Sequence, residues 1–335
     1  MKAVAPGKLI LSGEHAVVYG APALAMAIDR SAHSVLLPGR GEGVSFDLPG
    51  EGAGDSFTLL ALEDFKSRVM KNYRLFLRGD LGIRDVIAKP VDLFKYAFIM
   101  VLDGLHYQLD SGLCLQVRST IPMGCGLGSS AATVLSEIRA LGHYFRVEFR
   151  PDWYYDFSLE AERMQHGRPS GVDSYISLHG GCARFREGRA ESRPLPRMPM
   201  YLVETGVPQS TTGECVEAVA REFAASSIWS EFAGITEEVD RAVLDNDPLR
   251  LRAGVRENHR KLVRLGVVPE KVGRFVDAVE ARGGAAKICG AGAVRGEAGG
   301  VVLVLADEAP AELCREYGYT VSPVRGDPLG TRMIG

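Results

Sequence analysis

Residues 122–132 read Pro-Met-Gly-Cys-Gly-Leu-Gly-Ser-Ser-Ala-Ala and run directly into a helical pattern. The glycines at 124, 126 and 128 admit backbone conformations barred to other residues, so successive amide N–H groups can converge on one anion. Ser129 and Ser130 add hydroxyls and a helix N-cap. Beyond them Val134, Leu135, Ile138, Leu141 and Phe145 recur at three- and four-residue steps, which predicts an amphipathic helix whose dipole makes the loop positive. Leu113, Leu115 and Val117 alternate with polar residues just upstream, so the loop follows a strand and opens a helix. The stretch reads as a phosphate cradle. It is neither of two common nucleotide loops: Ser129 stands where a dinucleotide fingerprint needs its third glycine, and no Gly-x-x-x-x-Gly-Lys-Ser/Thr occurs in the chain.

The bulk numbers narrow the class of protein. At 335 residues the chain is long for one core, which favours two domains. Its 39 basic and 42 acidic residues give a net charge of -3, and no basic run or aromatic-interleaved stripe suggests nucleic acid. Six cysteines are scattered without a Cys-x-x-Cys pair, so neither a zinc site nor a disulfide framework is expected, and reduced thiols in a cytoplasmic protein are the default. Gly7-Lys8 and Glu14-His15 interrupt the first apolar runs, and no later segment reads as membrane-spanning.

Three further segments carry chemistry. Residues 2–20, which include Lys8, Glu14 and His15, form two short apolar runs joined by a polar link, a strand pair around a functional loop. By themselves Lys8 reads as a solvated strand-edge lysine and His15 as a packed histidine. Residues 162–173, Glu-Arg-Met-Gln-His-Gly-Arg-Pro-Ser-Gly-Val-Asp, set one carboxylate on either side of a rigid turn. One could hold a metal and the other accept a proton, or both could be ordinary solvated groups. Residues 285–292 give a strand, Ala-Ala-Lys-Ile-Cys, ending in Gly-Ala-Gly. Between these segments, helical stripes are expected at residues 62–76 and 91–105, a polar loop over 49–55, and four helices from 211 to 282. The glycine pair 180–181 and the charged, proline-bearing stretch up to 199 predict a domain boundary near residue 190, dividing the chain into 1–190 and 191–335.

Taken together, the loop at 122–132, the opening Ala-Pro-Gly-Lys-Leu-Ile-Leu-Ser-Gly-Glu-His-Ala-Val-Val-Tyr-Gly and the Glu-x-Met-x-His-Gly-x-Pro-Ser-Gly-Val-Asp run resemble the superfamily named for galactokinase, homoserine kinase, mevalonate kinase and phosphomevalonate kinase. The second and third of these are most similar to the mevalonate kinase family. The resemblance implies an α+β fold, with an N-terminal domain like the second domain of ribosomal protein S5 and a ferredoxin-like C-terminal domain. It implies ATP and Mg2+ as cofactors and a primary alcohol, mevalonate foremost, as substrate, and it leaves a homodimer open. Pro122, Gly124, Gly126, Leu127, Gly128, Ser129, Ser130 and Ala131 would bind the nucleotide. Ser130 and Glu162 would ligate the metal, Asp173 would be the catalytic base, and Lys8 would keep it ionised. Glu14, His15, Thr211, Ala291 and Arg295 would face the substrate. A sibling kinase for another hydroxy acid or sugar, a decarboxylase and a non-catalytic metabolite sensor stay open. Two positions depart from the pattern: Gln209 replaces a usual basic residue, and Arg295 intrudes into a normally bare glycine loop. Arg295 could supply the missing positive charge, or it could face solvent or contact an ATP phosphate.

Overall fold

The computed structural model describes residues 2–39, 41–48, 56–107, 109 and 111–335, so the polar loop expected over 49–55 lies outside the described residues. The chain opens with β1 (Lys2–Ser12), β2 (Ala23–Pro38), β3 (Val44–Asp47) and β4 (Ser56–Phe57). Helices α1 (Leu59–Arg78) and α2 (Pro90–Leu105) lead to β5 (Leu113–Ser119). Then come α3 (Ser129–Tyr144), α4 (Pro151–His166), α5 (Val172–His179), β6 (Cys182–Arg186) and β7 (Arg189–Arg193). The second half begins with β8 (Met200–Gly206) and continues through α6 (Thr212–Phe223), α7 (Ile228–Leu244), α8 (Pro248–Arg264) and α9 (Glu270–Ala281). It closes with β9 (Ala285–Ile288), β10 (Gly300–Leu305), α10 (Ala311–Tyr317), β11 (Thr320–Val324) and β12 (Arg332–Ile334).

Two sheets organise these elements. The first has the order β12-β1-β2-β5-β3-β4, with β6 added to β2 and β7 to β6; among the described residues only β3 and β5 run parallel. The second, β11-β8-β10-β9, is antiparallel throughout. Its strands stand in the spatial order fourth, first, third, second and are spaced by helices as in a ferredoxin-like unit. Both faces of β1 are covered, by α3 and α5 from its own half and by α7 and α8 from the other. Every residue of β1 after Lys2 is therefore buried, and its sequence reads as two apolar runs on either side of Gly7-Lys8 rather than an alternation. Stacking of Tyr19 on Trp229, with ring centroids 4.0 Å apart, and the Arg193–Asp240 ion pair at 2.6 Å join the halves.

The stretch expected to hold a domain boundary near residue 190 contains the hairpin of β6 and β7, and residue 190 falls inside β7. Its arginines and glutamates lie on an edge, where Arg184 pairs with Glu191 and Glu237, so charge that resembles a domain boundary belongs to a strand. The C-terminal β12 returns to pair with β1, so the first sheet draws on both ends of the chain. Residues 59–78 and 90–105 form the two expected helices, with Leu62, Phe65 and Val69 buried along the first.

Candidate active site

The 122–132 loop has the backbone its glycines predict: φ is +68° at Gly124, +78° at Gly126 and +69° at Gly128. Gly128, not a serine, is the N-cap of α3, and no side chain caps that end. The first-turn N–H groups, from Ser129 onward, consequently remain available to an anion, with the helix dipole behind them. Pro122 leads into the loop. Leu127 pins it to the core, its carbonyl accepting the Lys8 N–H at 2.9 Å, and Ala131 is buried where α3 packs down. The far wall is the 289–292 loop, against which Gly126 packs so tightly that an added Cβ would stand 2.6 Å from the Cys289 carbonyl oxygen.

Lys8 sits in mid-β1, only 4% exposed, with its ammonium turned to this loop. Its Nζ donates to the Gly126 carbonyl at 3.1 Å and lies 3.2 Å from Asp173 Oδ1. Asp173 occupies the first turn of α5, entered through Gly171 at φ +86°, and stays 31% exposed. One cation thus touches both the candidate base and the phosphate loop.

Glu162, near the end of α4, is buried, and its Oε1 contacts the Ser130 hydroxyl. The same hydroxyl lies 2.7 Å from Gln165 Oε1. Burial pushes the Glu162 carboxyl above the ordinary carboxylate range, against opposing pulls from His166 and the Ser130 hydrogen bond. Three oxygens therefore converge beside the phosphate loop with no nitrogen or sulfur among them, a donor set that fits Mg2+, which takes one or two protein oxygens together with phosphate oxygens. Gln165 was absent from the sequence-based set.

The expected substrate residues divide. His15 reaches the cleft wall, where its Nε2 meets the Ala291 carbonyl at 3.1 Å. That carbonyl can only accept, so Nε2 carries the proton; burial lowers the imidazole's pKa, and the neutral ring keeps Nδ1 as its acceptor. Glu14 does not face the cleft. It is 1% exposed, ion-paired through Oε1 with Lys287, while Oε2 accepts from Asn258 Nδ2 at 3.0 Å. A buried carboxylate must be partnered, and both partners come from the second half of the chain. Neither Asn258 nor Lys287 was expected in the site, although a lone lysine within the apolar run of β9 was the available signal.

Thr211 is the N-cap of α6, in a reciprocal capping box with Glu214. Arg84, from the short turn Ile83–Asp85, donates to Thr211 Oγ1 at 2.7 Å and pairs with Glu214 at 2.8 Å. Arg295 pairs with the other oxygen of Glu214 at 2.7 Å. Two guanidinium groups, each 61% exposed, thus share one carboxylate and leave a net positive charge at this rim. Gln209 lies apart, packed on Gly296 and lining a cavity of about 470 Å³ with Lys271 and Glu297, which includes neither Lys8 nor Asp173. Contacts and short stretches of chain together form a ring: Lys8 to Gly126, Gly126 to Gly290, Ala291 to His15, Arg295 and Arg84 each to Glu214, then Ile83 beside Gly167 and the turn leading back to Asp173. Arg84 carries no motif and was found only through this ring.

The chain is similar to known kinases over nearly its whole length. Residues 92–181 match the GHMP kinases N terminal domain. The mevalonate kinase of Thermococcus sibiricus is 30% identical over 325 residues, covering 93% of this chain and 90% of that protein. The crystal structure of Methanococcus jannaschii mevalonate kinase superposes with a TM-score of 0.78 at 24% identity, covering 97% of this chain and 98% of that one. The L. major mevalonate kinase in complex with R-mevalonate superposes with a TM-score of 0.70 at 22% identity, over 98% and 97% of the two chains. Among the described residues no helix is long and apolar enough to cross a membrane.

Proposed function

We infer, given that this chain belongs to the mevalonate kinase family of the GHMP kinases, that it transfers the γ-phosphoryl group of ATP to the 5-hydroxyl of mevalonate. The observation that carries the reading is the single ammonium of Lys8, shared between Asp173 and the Gly126 carbonyl. Phosphoryl transfer asks mainly for positioning and charge neutralisation. Asp173 accepts the proton of the attacking hydroxyl, and its exposure leaves it within reach of a bound alcohol. Lys8 orients that carboxylate and offsets negative charge gathering between it and the loop. The loop amides from Gly124 to Gly128 and the first turn of α3 hold phosphate oxygens. Glu162 and Ser130 would hold Mg2+, which would supply neutralisation of phosphate charge.

Mevalonate also carries a carboxylate, and a buried or half-buried anion needs a cationic partner. Lys8 is engaged with Asp173, and His15 is neutral. Arg84 and Arg295, two cations against Glu214 alone, are the groups in the ring with charge to spare, and Thr211 and Ala291 shape the wall between them and His15.

A coupled ADP-release assay over mevalonate, phosphomevalonate, homoserine and galactose tests this reading. Turnover should be at least about tenfold more efficient with mevalonate, since one charge-assisted hydrogen bond already contributes that much discrimination. Preference for another alcohol would reassign the substrate, and ATP binding without turnover of any alcohol would make the protein a sensor.

A further inference from the structure

Glu14, expected at the substrate, is held away from it by a side chain the reaction has no direct use for. Lys287 is completely buried on β9, and its ammonium has three protons. Each finds an acceptor: the Ile10 carbonyl at 2.9 Å, the Ile288 carbonyl at 3.1 Å and Glu14 Oε1. Asn258 on α8 completes the grip. Its Nδ2 donates to Glu14, while its Oδ1 accepts from the Gly13 N–H at 3.2 Å and the Ser12 hydroxyl at 3.1 Å.

The loop gripped in this way is strained. Gly13 has φ +102°, and an added Cβ there would stand 2.5 Å from the Pro22 carbonyl oxygen. His15, which is not glycine, has φ +58°. A left-handed residue bearing a side chain persists only where its surroundings over-determine it, and such residues gather at functional positions. The surroundings here are three residues of the second half, Asn258, Lys287 and Ala291, closing on three consecutive residues of the first, Gly13, Glu14 and His15.

We propose that Lys287 is a positioning residue: by holding Glu14 it keeps the Gly13–His15 loop in the conformation that presents His15 Nδ1 to the alcohol substrate. The claim rests on the kinase reading for its kinetic consequence but not for its structural one. A buried ion pair is weak evidence of net stabilisation, because desolvation opposes the Coulombic attraction. This pair has a second role available, since Glu14 adjoins the strained histidine and its partners lie across the cleft.

The test uses Lys287→Met, similar in length but uncharged, and the double variant Glu14→Gln/Lys287→Met, which leaves no unpaired charge in the interior. In both, KM for mevalonate should rise on the order of tenfold to a hundredfold, the range expected when one partner of a hydrogen bond is withdrawn and the other is left unsatisfied. KM for ATP should stay within about threefold, because the phosphate loop keeps its own backbone contacts. Imidazole 15N shifts of His15, read in the absence of any substrate, should change from one tautomer to a mixture. Should Lys287→Met fail to fold, the double variant decides. The proposal is overturned if the double variant regains both thermal stability and the wild-type KM, if both KM values rise together, or if the His15 shifts are unchanged. If wild-type protein does not turn over mevalonate, the kinase reading fails, and the 15N shifts alone decide the role of Lys287.

Discussion

The close approach of Gly126 to Gly290 allows the phosphate loop to be tested with two substitutions that differ in one physical respect. Gly124 and Gly126 both have positive φ, so Ala at either position carries the left-handed penalty of about 1–2 kcal/mol. A Cβ at Gly124 meets nothing within 4 Å. At Gly126 it would stand 2.6 Å from the Cys289 carbonyl oxygen and 2.7 Å from Gly290 Cα, and backbone atoms cannot rotate away as a side chain can. Forcing such a contact adds about 1–3 kcal/mol of overpacking. If that cost is met by displacing the loop from the 289–292 wall, Gly126→Ala should lower kcat/KM for ATP by about 5- to 150-fold more than Gly124→Ala. Steady-state kinetics with ATP varied, alongside urea unfolding, separates the outcomes, because any part of the cost borne by the fold appears as a lower midpoint. Equal losses for the two variants, or a larger loss for Gly124→Ala, would refute the reasoning that the two loops are in backbone contact.

Asp173→Asn should leave ATP affinity nearly intact and slow turnover by roughly 10²- to 10⁴-fold, the usual contribution of a positioned general base; near wild-type turnover would remove Asp173 from that role. Glu162→Gln should raise the magnesium concentration needed for half-maximal activity, since an amide oxygen is a weaker ligand for a hard cation, and an unchanged titration would count against it. Arg84→Ala and Arg295→Ala should each weaken mevalonate binding on the order of tenfold with little change in the ATP constant; a rise in the ATP constant alone would assign that arginine to the nucleotide. His259 on α8 is buried, and burial, with Lys287 and Arg260 adding, lowers its pKa from 6.5 to about 4. In that window the unfolded chain binds a proton that the folded one refuses, so its contribution is fully present above the unfolded pKa and is lost as pH falls, by on the order of 3 kcal/mol in total. Urea unfolding at about pH 7.5 and about pH 5 should show a shallower loss for His259→Leu than for wild type, and parallel losses would disprove the assignment.

The phosphate loop was legible in the chain because its determinants are local: glycines admit the turn, and a periodic apolar stripe forms the helix behind it. The helices at 59–78 and 90–105 and the four helices between 212 and 281 were legible for the same reason, whereas the second apolar run of residues 2–20, expected as a strand, forms the short 3-10 helix Ala16–Tyr19. Short elements such as α5, α10 and β12 left no periodic trace, and the β6–β7 hairpin, charged along an exposed edge, looked like a domain boundary. The site divides along the same line. Residues 162–173 mark two carboxylates, but only the fold brings Asp173 to Lys8, Glu162 to Ser130 and Lys8 to the Gly126 carbonyl. Glu14 was assigned to the substrate from a contiguous motif, and the tertiary structure turned it inward, because Lys287 and Asn258 reach it from more than 240 positions away in the chain. Arg84 lies in no pattern at all and gains its meaning from Glu214 and Thr211 across the cleft. Backbone conformation and periodicity are properties of neighbours in sequence, whereas a charge takes its role from whichever group the fold sets against it.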